Sequence, residues 1–253
     1  MSKIEKSKKF LAQDNLYYFP YHYLPIKIEN NIIKPFRCYH WLYNYILMID
    51  FIKSKIFNLI SSNILDFGCG DGRLLFELKS HKENKYFGYE ISKRANMLFN
   101  AFNPEIKLIN KLQDLNSYKN FFDLITFSEV IEHIPDDDVK LNIDAIYSIL
   151  KKNGLLIVTA PHENIPTHKK HYRHYNFNSL AGNFSEDKFQ IIEKKFLFKK
   201  ENYFSSFLRK IFFNRFFLIN SNLLLKFYYK YKKSQLLTEE KHSQTILLIL
   251  KKK

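Results

Sequence analysis

Residues 63–73 read NILDFGCGDGR: a short apolar run, then three glycines at alternate positions, Gly68, Gly70 and Gly72, then the opening of a helical pattern. The chain has only six glycines in 253 residues, so three of them inside five positions mark a place where backbone turns tightly or is closely approached. In an open α/β sheet that place is the turn from a strand into a helix. There the missing Cβ and the free N–H groups of the helix N-terminus leave room for a ligand. The spacing is G-x-G-x-G. A dinucleotide fingerprint needs its third glycine where Arg73 stands, and a phosphate-cradling loop needs Gly-Lys-Ser/Thr, which is absent.

The rest of the pattern agrees with such a sheet. The apolar runs NILDFG, KYFGYE, IKLIN, FDLITFS and GLLIVTAP alternate with helical patterns at about 72–80, 92–102 and 136–152. Pro135 and three aspartates open the last of these helices, and Val139, Ile143, Ile146 and Leu150 share one side of it. Alternation of this kind implies crossover connections and a parallel sheet covered by helices. Two further strands are expected at KFQIIEKKFLFKK and SQTILLILKKK. Before the sheet, a helix is expected at about 36–61, with Tyr45, Ile49, Ile52, Ile56 and Leu59 at helical spacing, and residues 1–35 read as an irregular aromatic arm. The expected organisation is an arm and helix at 1–61 followed by an α/β domain at 62–253, with no internal repeat.

Lysine and arginine exceed aspartate and glutamate by 15, a balance that attracts nucleic acid, anionic lipid or phosphorylated substrates. The abundance of Lys, Asn, Ile and Phe is also the bias of A+T-rich codons, so the charge alone names no partner. An apolar fraction of 46% excludes a disordered chain. Cys38 and Cys69 lack the spacing of a metal or redox pair. No secretory signal and no membrane-spanning stretch is read, so a cytoplasmic protein is expected.

Asp66 ends the first strand and Glu90 the second, eighteen residues after Gly72. A carboxylate in Glu90's position can accept hydrogen bonds from both hydroxyls of a ribose. Loop and acid together define a site for a nucleoside carrying a cationic or zwitterionic tail rather than a pyrophosphate. ILDFGCGDGRLL, YFGYE, FDLITFSEVIEHI and LLIVTAP, in that order, resemble the class I S-adenosylmethionine-dependent methyltransferases over roughly residues 60–200. The resemblance implies a Rossmann-like, seven-stranded, mostly parallel sheet with an antiparallel last strand and helices on both faces. It implies S-adenosylmethionine as cofactor, with Gly68, Cys69, Gly70 and Gly72 beside the methionine part, Asp66 near the amino group and Glu90 on the ribose. Ser128 and Glu129 are also expected to bind the cofactor, and Asp114 is the candidate for the adenine.

The acceptor must meet the cofactor from loops after the fourth and fifth strands. The fourth runs into SEVIEHI, where Glu129, Glu132 and His133 can converge on one point. This set resembles two branches of the family, the ubiquinone-pathway O-methyltransferases and the small-RNA 3′-end 2′-O-methyltransferases. In the second branch such a set with a further histidine holds a divalent metal. The preferred expectation is His133 acting without a metal, with Glu129, Glu132 and His133 as ligands in the alternative. The fifth strand leads into THKKHYRHYNF, which holds three histidines, three cationic residues and three aromatics in eleven positions. Its H-Y-R-H-Y segment resembles methyltransferases of bacterial surface-glycan and lipid biosynthesis, implying that His171, Arg173 and His174 line the acceptor pocket. The proton acceptor is expected to be His133 or His174.

From Asn202 to Thr238 there is no acidic residue, and residues 203–233 combine seven cationic side chains with many large apolar ones. An interfacial helix of this composition would suit peripheral contact with an anionic membrane. The expected activity is methyl transfer to an oxygen of a small or lipid-linked acceptor such as a sugar. The alternatives are metal-dependent RNA 2′-O-methylation and a basic adaptor of the same fold without chemistry.

Overall fold

The computed structural model describes residues 3–14, 17, 26–29, 31–35, 40–56, 59–79, 83–214 and 216–253. Cys38 and most of the YYFPYHYLP stretch lie outside the described residues. The N-terminal part is more regular than the expected arm: helix α1 spans Lys3–Asp14, and strands β1 (Ile26–Glu29) and β2 (Ile32–Lys34) pair antiparallel. Residues 3–14 contain neither glycine nor proline and are rich in good helix formers, which is why they coil despite their charge. Helix α2 then runs His40–Ile56.

The sheet follows in the expected order. Strand β3 (Asn63–Phe67) leads through the glycine loop into α3 (Arg73–Leu78); β4 (Lys85–Tyr89) is followed by α4 (Lys93–Phe102) and β5 (Lys107–Ile109). A 3-10 turn at Leu112–Tyr118 precedes β6 (Phe122–Ser128), a second at Ile131–His133 precedes α5 (Asp136–Ile149), and β7 is Leu150–Pro161. A short α6 (Phe177–Ala181), capped reciprocally by Asn176 and Ser179, leads to β8 (Phe189–Lys199). Helices α7 (Tyr203–Phe212) and α8 (Asn222–Ser234) and strand β9 (Ser243–Lys252) complete the order.

The seven strands lie in the order β5-β4-β3-β6-β7-β9-β8. The pairings from β5 to β7 are parallel, while β9 runs antiparallel to both β7 and β8. Consecutive residues of each central strand feed opposite cores, since side chains alternate across a strand. Leu65, Ile125, Leu156 and Leu248 pack with α5 on one face; Ile64, Leu124, Ile157 and Leu247 pack with α2, α7 and α8 on the other. Burial on both faces is what makes the strands read as continuous apolar runs. Among the described residues no helix is long and apolar enough to cross a membrane.

The insertion between β8 and β9 is anchored through aromatic contacts. Tyr228 of α8 stacks on Phe212 of α7 at 4.1 Å between ring centroids and meets Tyr43 of α2 edge-on at 5.2 Å. Tyr43 therefore couples α8 to α2, whose Trp41, Leu42, Asn44 and Tyr45 face a large cavity at the carboxyl edge of the sheet.

Candidate active site

That cavity measures about 1190 Å³, above the roughly 300–1,000 Å³ usual for one small ligand, so it has room for a nucleoside-sized cofactor and an acceptor. Its floor is the glycine loop. Gly68, Gly70 and Gly72 have φ of +83°, +55° and +82°, in the left-handed region that favours glycine. A Cβ on Gly68 would stand 2.6 Å from the Val130 side chain, so this turn tolerates no side chain. Gly68, Cys69 and Gly70 line the cavity; Gly72 caps α3 and packs on Phe99 and Asn103 instead. Burial pushes the Cys69 thiol well up, so it stays protonated and unreactive.

Glu90 stands on the wall beside the loop. Its carboxylate accepts from the backbone N–H of Gly70 at 3.0 Å and of Ser92 at 2.7 Å. Burial raises its pKa, and the backbone N–H groups of Ser92 and Gly70 work against that rise. Asp66 lies beneath the loop rather than on the wall, buried and accepting from the Thr126 hydroxyl at 2.7 Å. Desolvation lifts it to about 7, opposed by the Thr126 bond and reinforced by Glu90 and Asp71. Asp114 is displaced from its expected place: it is exposed in the 3-10 turn, and Leu112 faces the cavity in its stead.

On the acceptor side, β6 ends at Ser128, whose hydroxyl lies 2.9 Å from that of Thr159. Glu129 follows with φ of +56°, a strained conformation for a residue with a Cβ that turns its carboxyl into the cavity. One carboxyl oxygen of Glu129 and both of Glu132 have no hydrogen-bond partner among the described residues. Burial raises Glu129 to about 7; burial, then the neighbouring Glu129, raises Glu132 well above the usual carboxylate range. Glu132 is 1% exposed, and ligand atoms of Glu132, His133 and His171 all lie within 4.8 Å of one another.

The histidine protons follow from their partners. The Nδ1 of His174 lies 3.0 Å from the Ile165 carbonyl, which can only accept, so His174 donates there and keeps Nε2 as an acceptor. His171 Nδ1, 2.8 Å from that Nε2, must then carry a hydrogen, which leaves His171 Nε2 as the basic atom. His133 Nδ1 faces the Lys170 carbonyl at 3.3 Å, leaving its Nε2 basic, 3.8 Å from Glu132. Burial lowers His133 to about 3 and His171 to about 2, so both rings are neutral at physiological pH. His174, expected as a proton acceptor, has both ring nitrogens engaged and orients His171 instead.

Arg173 also departs from expectation. Its guanidinium donates to the carbonyls of Ile131 at 3.0 Å and Ile134 at 2.6 Å and to the Tyr175 hydroxyl, and it pairs with Asp136. It pins the turn that carries Glu132 and His133 and does not line the cavity. Lys170 does line it, with its ammonium over the Trp41 ring. The N-terminal part, to which the sequence reading gave no role, closes the top: Lys9, Phe10, Gln13, Asp14 and Tyr17 all face the cavity. Asp14 accepts from Ser92 Oγ at 2.5 Å and pairs with Arg94, while Lys9 donates to the His171 carbonyl. The one sequence signal for this cover was the density of aromatic residues ahead of residue 35.

The sequence matches the family described as "Methyltransferase domain" over residues 40–194, more than half of the chain. The chain belongs to this family: it is a class I S-adenosylmethionine-dependent methyltransferase. Solved structures share the fold at low identity. A SAM-dependent methyltransferase from Archaeoglobus fulgidus superposes with a TM-score of 0.55 at 15% identity, covering 84% of this chain and 99% of that one. The N-methyltransferase NodS from Bradyrhizobium japonicum WM9, in complex with S-adenosylhomocysteine, gives 0.56 at 12%, covering 89% and 93%. The MccD protein gives 0.57 at 16%, covering 81% and 96%. No curated protein matches the sequence significantly.

The residues present fit the cofactor. The positive-φ loop offers a cradle that a Cβ would fill, and the Glu90 carboxylate beside it is of the chemistry that ribose hydroxyls can donate to.

Proposed function

We propose that the chain methylates an oxygen of a small or lipid-linked acceptor, such as a sugar hydroxyl. The observation that carries this reading is the neutral pair His133 and His171, each with a hydrogen-free Nε2, packed against the Glu132 carboxyl, which makes no hydrogen bond, in the cavity that also holds Glu90 and the glycine loop. S-adenosylmethionine, when bound, supplies a methyl group already activated by the sulfonium and leaves as a neutral thioether. The loop at Gly68 and Gly70 admits its amino-acid part, Glu90 holds the ribose, and Ser128 and Glu129 form the wall toward the acceptor. The acceptor hydroxyl gives its proton to His171 Nε2 or His133 Nε2 as its oxygen gains the methyl group, so the atom that needs a base has one within the same wall. The cover formed by α1 keeps water from competing.

A second reading is favoured by the same Glu132. A buried carboxyl with two unpartnered oxygens beside two unprotonated imidazole nitrogens also fits a divalent cation such as Mg²⁺ or Mn²⁺. Glu132, His133 and His171 would hold it, His171 standing where Glu129 was expected, and it would lower the pKa of a bound hydroxyl. This reading goes with RNA as acceptor, and the overall positive charge supports it. Transfer of labelled methyl groups into an extract of the source organism, separated into lipid, glycan and RNA fractions with and without chelator, distinguishes the two. Label in lipid or glycan that survives chelation supports the first reading; chelator-sensitive label in RNA replaces it with the second.

A further inference from the structure

Helices α7 and α8 bury one side and leave the other exposed among the described residues. Leu208, Phe212, Leu225, Tyr228 and Tyr229 enter the core, whereas Tyr203 and Phe207 on α7 stand 98% and 59% exposed. Between the helices Phe216 and Phe217 are 95% and 60% exposed, and on α8 Leu223 and Phe227 are 78% and 49% exposed. Folds tolerate single exposed apolar side chains, but six of them within residues 203–227 of one inserted segment mark a contact surface. Its ionic complement is one-sided. Lys226, Lys230 and Lys233 emerge on the exposed face of α8 among Leu223, Leu224 and Phe227, and Lys210 is exposed on α7. No aspartate or glutamate occurs from Asn202 to Thr238.

We infer that this face docks on an anionic lipid bilayer. A bilayer surface offers apolar acyl chain just below a plane of negative headgroups. Rings that protrude from the fold can enter the first layer, while lysines with long apolar stems keep their ammonium groups in the second. A protein partner would have to supply both chemistries in one flat, mixed surface with acids spaced to match. The face is also joined to the active site. Tyr228, on the buried side of α8, packs on Tyr43 of α2, and the residues on either side of Tyr43 line the cavity. The docking helix is therefore joined to the cavity wall through packed side chains rather than a loop. The inference rests on the exposed surface alone and holds whichever acceptor the cavity takes.

Vesicle co-sedimentation of the full chain tests it without any methyl transfer. Wild-type protein is expected to partition onto phosphatidylcholine vesicles containing phosphatidylglycerol, with a partition coefficient at least roughly tenfold above that for phosphatidylcholine alone. The double variants Phe216→Ser/Phe217→Ser and Lys230→Glu/Lys233→Glu are each expected to lose at least about tenfold. Both change exposed side chains, and unchanged melting temperature and S-adenosylhomocysteine affinity establish that they are folded. Failure of the wild type to bind anionic vesicles overturns the inference, as does equal binding to neutral ones or undiminished binding by the folded variants. Light scattering that shows a dimer dissociated by Phe216→Ser/Phe217→Ser would assign the face to a second copy instead, and would equally overturn it.

Discussion

The Nζ of Lys9 lies 2.6 Å from the carbonyl oxygen of His171, tying the first helix to the loop after β7 across 162 residues of sequence. At the other end of the same helix, Asp14 is held by Ser92 and Arg94 next to Glu90. One element thus spans both halves of the cavity, with Phe10 and Gln13 facing inward between the two attachments.

If this helix closes over the cofactor, weakening either attachment should be felt in binding. Lys9→Ala and Asp14→Ala are each expected to weaken S-adenosylhomocysteine binding roughly tenfold, the scale of one charge-assisted hydrogen bond. Titration calorimetry measures the affinity, and hydrogen exchange in residues 3–14 should accelerate in both variants. Unchanged affinity together with unchanged exchange would show that α1 is not a cover.

The histidine chain predicts an asymmetry between neighbours. His171→Ala is expected to lower kcat by about 10²–10⁴-fold while leaving cofactor affinity nearly unaltered. His174→Phe removes the acceptor that fixes the His171 hydrogen and the donor to the Ile165 carbonyl but leaves His171 itself in place, so it should cost less. His174→Gln, whose carbonyl can take that hydrogen, should recover much of the loss. Equal damage from Phe and Gln at position 174 would mean that His174 acts directly or only fills space.

Asp66 gives the pH dependence a sign. Its pKa rises from near 4 in an unfolded chain to about 7 in the fold, so the folded state holds an extra proton between these values. The associated stability is fully present below the ordinary carboxylate range and is lost as pH rises through about 7. Asp66→Asn should therefore flatten the fall of melting temperature across that window. A positively charged cofactor favours the ionised carboxyl, so binding should release a proton below neutrality and tighten as pH rises. Calorimetry in buffers of different ionisation enthalpy detects this, and a pH-independent affinity identical in the Asn variant would count against any charge interaction with Asp66.

At Gly68 an added methyl group meets Val130 at 2.6 Å in a backbone region with φ of +83°. Gly68→Ala is expected to cost at least about 1–2 kcal/mol of folding stability from the backbone alone and to abolish cofactor binding. Denaturant unfolding and calorimetry measure the two effects. A stable variant that binds normally would mean that the loop can be redrawn without its left-handed turn.

Strands buried on both faces advertise themselves. Ile64 and Leu65 point to opposite cores, yet both are apolar, and NILDF stands out from any neighbouring segment. Helix α5 was legible because its aspartates, Val139, Ile143 and Ile146 obey one spacing. The glycine loop and Glu90 were legible because adjacent elements set their separation. Other features depend on contacts that spacing cannot express. Arg173 is a cation in a basic run, and only the positions of the Ile131 and Ile134 carbonyls turn it from a wall residue into a pin. The choice between His171 and His174 rests on a carbonyl at Ile165. Helix α1 reads as part of an irregular arm because its partners are more than seventy residues away.

Strand β9 has a consequence for how the enzyme comes into being. It is synthesised after both strands it separates, yet it pairs with β7 from Leu155 to Pro161 and with β8 along nearly its whole length. Until it is made, β7 and β8 have no hydrogen-bonding partner between them, and the root of the histidine loop at Pro161 lacks its pairing with Thr245. Contacts so distant in sequence form late. A nascent chain can thus own a complete glycine-loop half while its histidine-loop half is still open, so the cavity is completed only when this wedge is driven home.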